Sequence, residues 1–561
     1  MEIDELLKLA TAQYDNGIRY YHGDGVEQDY RKAVEWFRAA AEHGHARAQY
    51  MLGECYYYGD GAVQDYGRAV KWYEKAAEQG LAEAQCNLGD CYENGTGVGV
   101  EYVKAVKWYE KSAAQQCAEA EYALGMVCRR GRGVVVDGNK AVEWFMKAAE
   151  HGNGDAQYEL GEAYLNGDCV AQDKKQAFFW FSESAKNECA DGIYGVGQCY
   201  RYGFGVSVNE AEAVNWTTRA AEEGSSKAQF ELGQMYLNGK LVKKDVRRAI
   251  ELIKASAESG NADAQFNLAE YLYKGEIVKQ DYRSAAVLYK KAAEQGHAFA
   301  QYRLGVCYED GRGVPQDYKM AVYWYEKATE QGSADAQECL GCMYAYGRGV
   351  SQDYKKAFDL FIDIAEFGNS SAQCDVGIMY KEGWGVPQDF KTAAEWYRRA
   401  AESGYSKAQV NLAVLYEDGL GVPQDYATAV KWYKMAAEEG CSEAQYNLGL
   451  MYEKGRGVPQ DYAAAIQLYK KAAAQGDIYA QNNLGSMYYN GIGVPRDYET
   501  GVYWHRKAAE QGNPVAQYNM GVAHEHGNGV PQDCEKAIAW YKKAAAQGNE
   551  KAKQKLKELG S

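Results

Sequence analysis

The stretch AQYRLGVCYEDGRGVPQDYKMAVYWYEKATEQG, residues 300–332, decides the fold. Leu304 and Tyr308 lie four residues apart with Ala300 one turn earlier, an apolar stripe of helical period that stops at Gly311. Asp317 then stands where a side-chain oxygen can cap the open amides of a second helix and complement its dipole. That helix carries Ala321, Trp324 and Ala328 on one face and closes at Gly332. The stretch therefore predicts two helices joined by a short glycine-bearing turn.

Outward from residue 300 the same pattern repeats every 36 residues in both directions. The marker equivalent to Gly305 runs from Gly17 to Gly521 through fifteen repeats without an insertion, and is Ala only at Ala269 and Ala413. Six residues beyond each marker, from Gly23 to Gly527, stands a Gly suited to the left-handed residue that ends a helix. The second-helix cap is Asp, or once Glu, in fourteen repeats, with Asn209 the exception. The position of Trp324 is Trp in eleven repeats, from Trp36 to Trp540, and Leu252, Leu288, Leu360 and Leu468 in the other four. These Trp residues read as core. One helical hairpin cannot bury such a face alone, so stability must come from stacking neighbours. The expected architecture is an all-α solenoid of fifteen helix-turn-helix repeats over residues 1–549, followed by a C-terminal capping helix over 550–561. There Ala552 and Leu556 keep the register among four lysines.

Composition agrees with a helical array: Tyr is overused at 49 residues and Pro is scarce at 7 among 561. The net charge of -16 is spread along the chain and argues against nucleic acid or an anionic membrane as the principal partner. The opening segment MEIDELLKLATAQYDNG has acidic residues where a signal peptide needs basic ones, and no apolar run reaches the length of a membrane span. A cytoplasmic protein is expected, or an exported one if a signal peptide has been removed. The 14 cysteines show no fixed pairing distance, which fits a reducing compartment.

The unit AQYNLGLMYEKGRGVPQDYAAAIQLYKKAAAQG, residues 444–476, resembles the Sel-one-like repeat, a relative of the tetratricopeptide repeat. The GxGVPQDYxxA segment and its flanking Ala-Gln and Gln-Gly elements carry the resemblance, which covers essentially the whole chain. It implies a right-handed superhelix whose first helices line the concave face, a role as adaptor or scaffold, and no reaction. Departures cluster between residues 166 and 280, where loop glycines are lost, and this stretch reads as a bend or a contact.

Two residues before the marker stand Asn87, Asn267, Asn411, Asn447, Asn483 and Asn519, the last four in consecutive repeats. In tetratricopeptide relatives, Asn at the matching place forms a ladder that grips the backbone of an extended peptide. A carboxamide both donates and accepts, so it can pair with a peptide group. The alternative is an Asn tolerated because it faces water. Three further candidates are the aromatic pair Tyr57 and Tyr58, the basic cluster Arg129, Arg130 and Arg132, and Trp384 between two loop glycines. The arginines could accept an acidic segment. Trp384 could anchor an interface or pack on the adjacent loop.

Elsewhere, chemistry is not indicated. Cys339 and Cys342 form an isolated CxxC inside a helix, with no second pair at zinc-ligand spacing. Cys55, Cys91, Cys199 and Cys307 share one helical position taken by Met in other repeats and read as small buried residues. His524 and His526 lie two apart and point to different sides of a helix. No catalytic residue, cofactor or metal site is assigned. The expected function is a protein-interaction scaffold holding an extended peptide or protein partner on the concave face. The alternative is a regulatory solenoid that docks on a folded enzyme to activate or localise it. Oligomeric state is not legible.

Overall fold

A computed structural model describes residues 3–560 and gives thirty-one helices and no strand among them. Every repeat is a pair of helices, in repeat 9 Ala298–Asp310 and Tyr318–Glu330. The chain divides into two compact units between Gln295 and Gly296. The first holds repeats 1–8, the second repeats 9–15 and a last helix, Glu550–Glu558. Within each unit a helix packs chiefly on the helices before and after it, the local connectivity of a solenoid.

The GxGVPQDY segment is occupied in making the turn. Gly311 adopts φ 69° and its N–H returns to the Cys307 carbonyl, closing the first helix. The Gln316 amide donates to the Glu309 carbonyl at 2.7 Å, taking one of the last-turn oxygens the helix leaves open. The Asp317 carboxylate accepts from the amides of Lys319 and Met320 at 2.9 and 3.1 Å. Asn209 caps equally well, accepting from Ala211 and Glu212. The residue that fails is Glu101, whose longer side chain makes no cap and reaches Lys104 instead.

The second loop glycine is required by approach as well as by dihedral. At Gly61, φ is 69° and an added Cβ would sit 2.1 Å from the Tyr30 carbonyl oxygen of the preceding repeat. In the divergent stretch Cys169 and Leu241 take this place with φ 59° and 68°, a left-handed conformation that costs such residues on the order of 1 kcal/mol or more.

The Ala-Gln and Gln-Gly elements tie neighbouring repeats together. Gln445, in the first helix of repeat 13, donates to the Ala437 carbonyl of repeat 12 at 3.2 Å and accepts from Gln475 at 2.9 Å. Where the second partner is instead Ser259, Ser403 or Glu439, the Oε1 atoms of Gln229, Gln373 and Gln409 are buried without a partner. In repeat 4 both members change together, and His151 meets the buried Glu121 at 2.7 Å.

The reading of the Trp position as core needs correction. The large side chain at the centre of most repeats is the next residue along: Phe37, Tyr73, Tyr109, Tyr289 and Tyr325 are 0–1 % exposed, and the residues at the equivalent positions no more than 3 %. Their rings lie against the marker, whose added Cβ at Gly305 would fall 2.5 Å from the Tyr325 ring. Burial of each ring contributes about 1.5–3 kcal/mol. Of the tryptophans only Trp324 and Trp396 are buried, and Trp36 is exposed. The others are half-buried on the flank of the second helix. Several carry a cation on the ring, as Lys111 does at 3.9 Å from the Trp108 centroid.

Candidate partner-binding face

With the turn and ladder residues committed to the fold, the first helix offers two half-buried positions one turn apart. These are the residue two before the marker and the residue just after it, which share one face at i, i+3. First helices of successive repeats meet along this face: Asn519 donates to Asn482 across 37 residues at 3.3 Å, and Asn87 to Glu54 across 33 at 2.8 Å.

The residue after the marker separates the two units chemically. In repeats 2, 3, 5 and 8 of the first unit it is Glu54, Asp90, Glu162 and Glu270, and Glu54, Asp90 and Glu270 each accept a hydrogen bond from the hydroxyl of the core tyrosine. Burial raises the carboxyl pKa of Glu54 and Glu162 above the ordinary carboxylate range. In the second unit the carboxylate that satisfies the core tyrosine lies one turn later, as Tyr325 to Glu309 at 2.7 Å and Tyr469 to Glu453 at 2.6 Å. The position after the marker is thereby released from that task. It becomes Val306, Cys342, Ile378, Val414, Leu450, Ser486 and Val522, an almost continuous half-buried apolar row.

Four candidate asparagines flank this row. Asn447 has no hydrogen-bond partner among the described residues. Asn411 makes only a 3.6 Å contact to the Cys374 sulfur, and Asn483 reaches the Tyr469 hydroxyl at 3.4 Å. Asn519 joins them through Asn482. The first-unit members differ. Asn267 donates to the Asp263 carbonyl of its own helix, and Asn87 is held by Glu54 and the Tyr50 hydroxyl.

Tyr57, Tyr58 and Asn87 come together around a cavity of about 80 Å³ completed by Tyr73, Asp90 and Cys91. The arginine cluster is not an open basic patch: Arg129 pairs with Glu159 at 2.6 Å and Arg132 with Glu93 at 3.0 Å, leaving Arg130 exposed. Trp384 is half-buried and stacks on Tyr354 with ring centroids 5.1 Å apart, so its indole packs on the adjacent repeat. Burial pushes the thiols of both Cys339 and Cys342 up to about 12, which keeps them protonated at neutral pH. Cys55, Cys91, Cys199 and Cys307 are all buried. His524 and His526 turn to different carbonyls, those of Pro531 and Val522.

The Sel1 repeat model matches this sequence in fifteen copies from residues 10–45 to 514–549, contiguous but for a shorter tenth copy at 334–365. The chain belongs to the Sel1 repeat family. Its similar solved structures include a protective antigen of uropathogenic Escherichia coli strains with an SLR fold. The two are 33 % identical over 87 % of this chain and 97 % of that one, with a TM-score of 0.41. A Sel1 repeat protein from Oxalobacter formigenes is 35 % identical over 55 % of this chain and 90 % of that one, with a TM-score of 0.43. No curated protein matches the sequence. Sel1 repeat arrays are non-catalytic scaffolds that generally mediate protein–protein interaction. No helix among the described residues is long and apolar enough to cross a membrane.

In this Sel1 array the apolar row after the marker escaped the sequence reading, which compared the Asn position across repeats and passed over its neighbour. The signal was present: reading residue 306 and every thirty-sixth residue after it yields the row directly.

Proposed function

We propose that the first-helix face of the second unit, which the solenoid class makes the concave one, holds an extended peptide segment of a protein partner. The observation that carries this reading is the pairing of two rows on consecutive first helices. Val414 and Leu450 can take alternate apolar side chains of an extended chain, while Asn411, Asn447, Asn483 and Asn519 present carboxamides to its backbone. The chemistry suits a segment recognised by backbone and spacing more than by charge.

The test is selection of binding peptides from a random library on the intact protein, followed by titration against a variant with the four asparagines changed to Ala. Each lost side-chain hydrogen bond is worth roughly 0.5–1.5 kcal/mol, so affinity should fall at least about thirtyfold. N-methylation of alternate peptide bonds in the ligand should abolish binding to the unaltered protein. Equal affinity of the folded variant, or indifference to N-methylation, sinks the backbone-gripping reading.

A further inference from the structure

After the first repeat, the position two before the marker is a carboxylate three times, at Glu159, Glu231 and Asp375. The chain answers the first two with its own arginines: Glu159 accepts from Arg129 at 2.6 Å, and Glu231 pairs with Arg201. Both arginines stand 30 residues earlier, in the last turn of the preceding first helix. Thirty residues before Asp375 that place is taken by Ala345, which carries no charge. The Asp375 carboxylate is half-buried and makes no hydrogen bond or ion pair among the described residues.

Its surroundings do not supply the missing partner. Glu338 brings a second carboxylate, which accepts from the Ser371 hydroxyl at 2.7 Å. Lys407, whose charge acts on Asp375, forms no ion pair among the described residues. Burial pushes the Asp375 carboxyl up to about 6 against the opposing pull of Lys407, the mark of a charge held out of water without a contact to satisfy it. The layer as a whole has the same sign. The seven first helices of the second unit carry eleven acidic and four basic side chains, and the seven second helices eleven acidic and sixteen basic. A cation is therefore drawn to the first-helix face.

Asp375 also lies in register with the groove. It holds the place of Asn411, Asn447, Asn483 and Asn519 one repeat earlier, with Ile378 of the apolar row one turn on. A segment lying over the four asparagines and continuing by one repeat reaches it.

From this arrangement we propose that Asp375 anchors an arginine side chain of the partner segment held in the groove. The inference rests on the groove reading and adds one charged contact to a segment otherwise recognised by backbone and spacing. The partner's guanidinium takes the part that Arg129 and Arg201 play toward Glu159 and Glu231, and its planar fork offers paired donors to a carboxylate.

The test uses the full chain and peptides selected on it from a random library, with affinities measured by calorimetric titration. The selected peptides should share an arginine at one register. Replacing it by citrulline, which keeps the shape and removes the charge, should weaken binding to the unaltered protein by at least about tenfold. Asp375→Asn installs the residue of the next four repeats, keeps the fold, and should bind the arginine and citrulline peptides alike within about twofold. Ala345→Arg supplies the anchor from within and should weaken the arginine peptide by at least about tenfold. Peptides that need the four asparagines but share no arginine, or whose arginine matters equally with Asp375→Asn, overturn the anchor and leave the groove reading standing. Dependence on Asp375 without dependence on the asparagines keeps the anchor and removes the asparagine ladder. A library that yields no peptide overturns both.

Discussion

Acidification should loosen one particular repeat. His505 holds the central position that is an aromatic ring in most other repeats, and it is 2 % exposed. Its Nδ1 is buried without a hydrogen-bond partner, and a Cβ on Gly485 would lie 2.7 Å from that atom. Burial therefore favours the neutral imidazole and lowers its pKa from 6.5 to about 4. Below pH 6.5 the unfolded segment binds a proton that the folded repeat refuses, so the stabilisation is complete above 6.5 and is lost as pH falls through 4. A depression of about 2.5 units corresponds to about 3 kcal/mol. In a solenoid this appears as local opening of residues 478–510 and not as global unfolding. Hydrogen exchange by mass spectrometry, corrected for intrinsic rates, should show protection of 478–510 falling about a hundredfold between pH 7.5 and pH 4. The variant His505→Phe carries the ring that Phe361 places at the same position and should not show the fall. Equal loss in both proteins would assign it to other groups and refute the reasoning.

Two further outcomes follow from the same packing. Ser403→Gln should supply the missing donor to the buried Oε1 of Gln373 and raise the thermal stability of repeat 11 by about 1 kcal/mol, measured by calorimetry. The hydrogen bond from the Cys86 thiol, against the opposing effect of burial, lowers the pKa of Cys117 to about 7. Its alkylation by iodoacetamide, followed by peptide mapping, should reach half-maximal rate near pH 7, whereas buried Cys55, raised to about 12, should resist.

The sequence read well wherever the physics is local. Asp317 caps amides two and three residues away, Gln316 reaches back seven, and Gly311 needs only its own left-handed dihedral. These contacts close within one repeat, so the period, the helix ends and the turn were all legible from residues 300–332. Even there one inference slipped, because chain length rather than charge decides a cap, and Glu101 fails where Asn209 succeeds.

What only the tertiary structure decided were choices between neighbours equally apolar in sequence and contacts that cross repeats. The tryptophans read as core, yet at Trp108 and Tyr109 the marker glycine admits the ring of the second, and the first lies half-buried on the flank because successive helical residues point about 100° apart. The partners of Asn87 and Asn519 lie in neighbouring first helices, 33 and 37 residues away for Asn87 and 37 for Asn519. The move of the tyrosine's acceptor from Glu54 in one unit to Glu309 in the other needs both helices of a repeat in place. Periodicity sets which face a residue shares, whereas the atom it meets there is chosen by packing across the helix pair and between repeats.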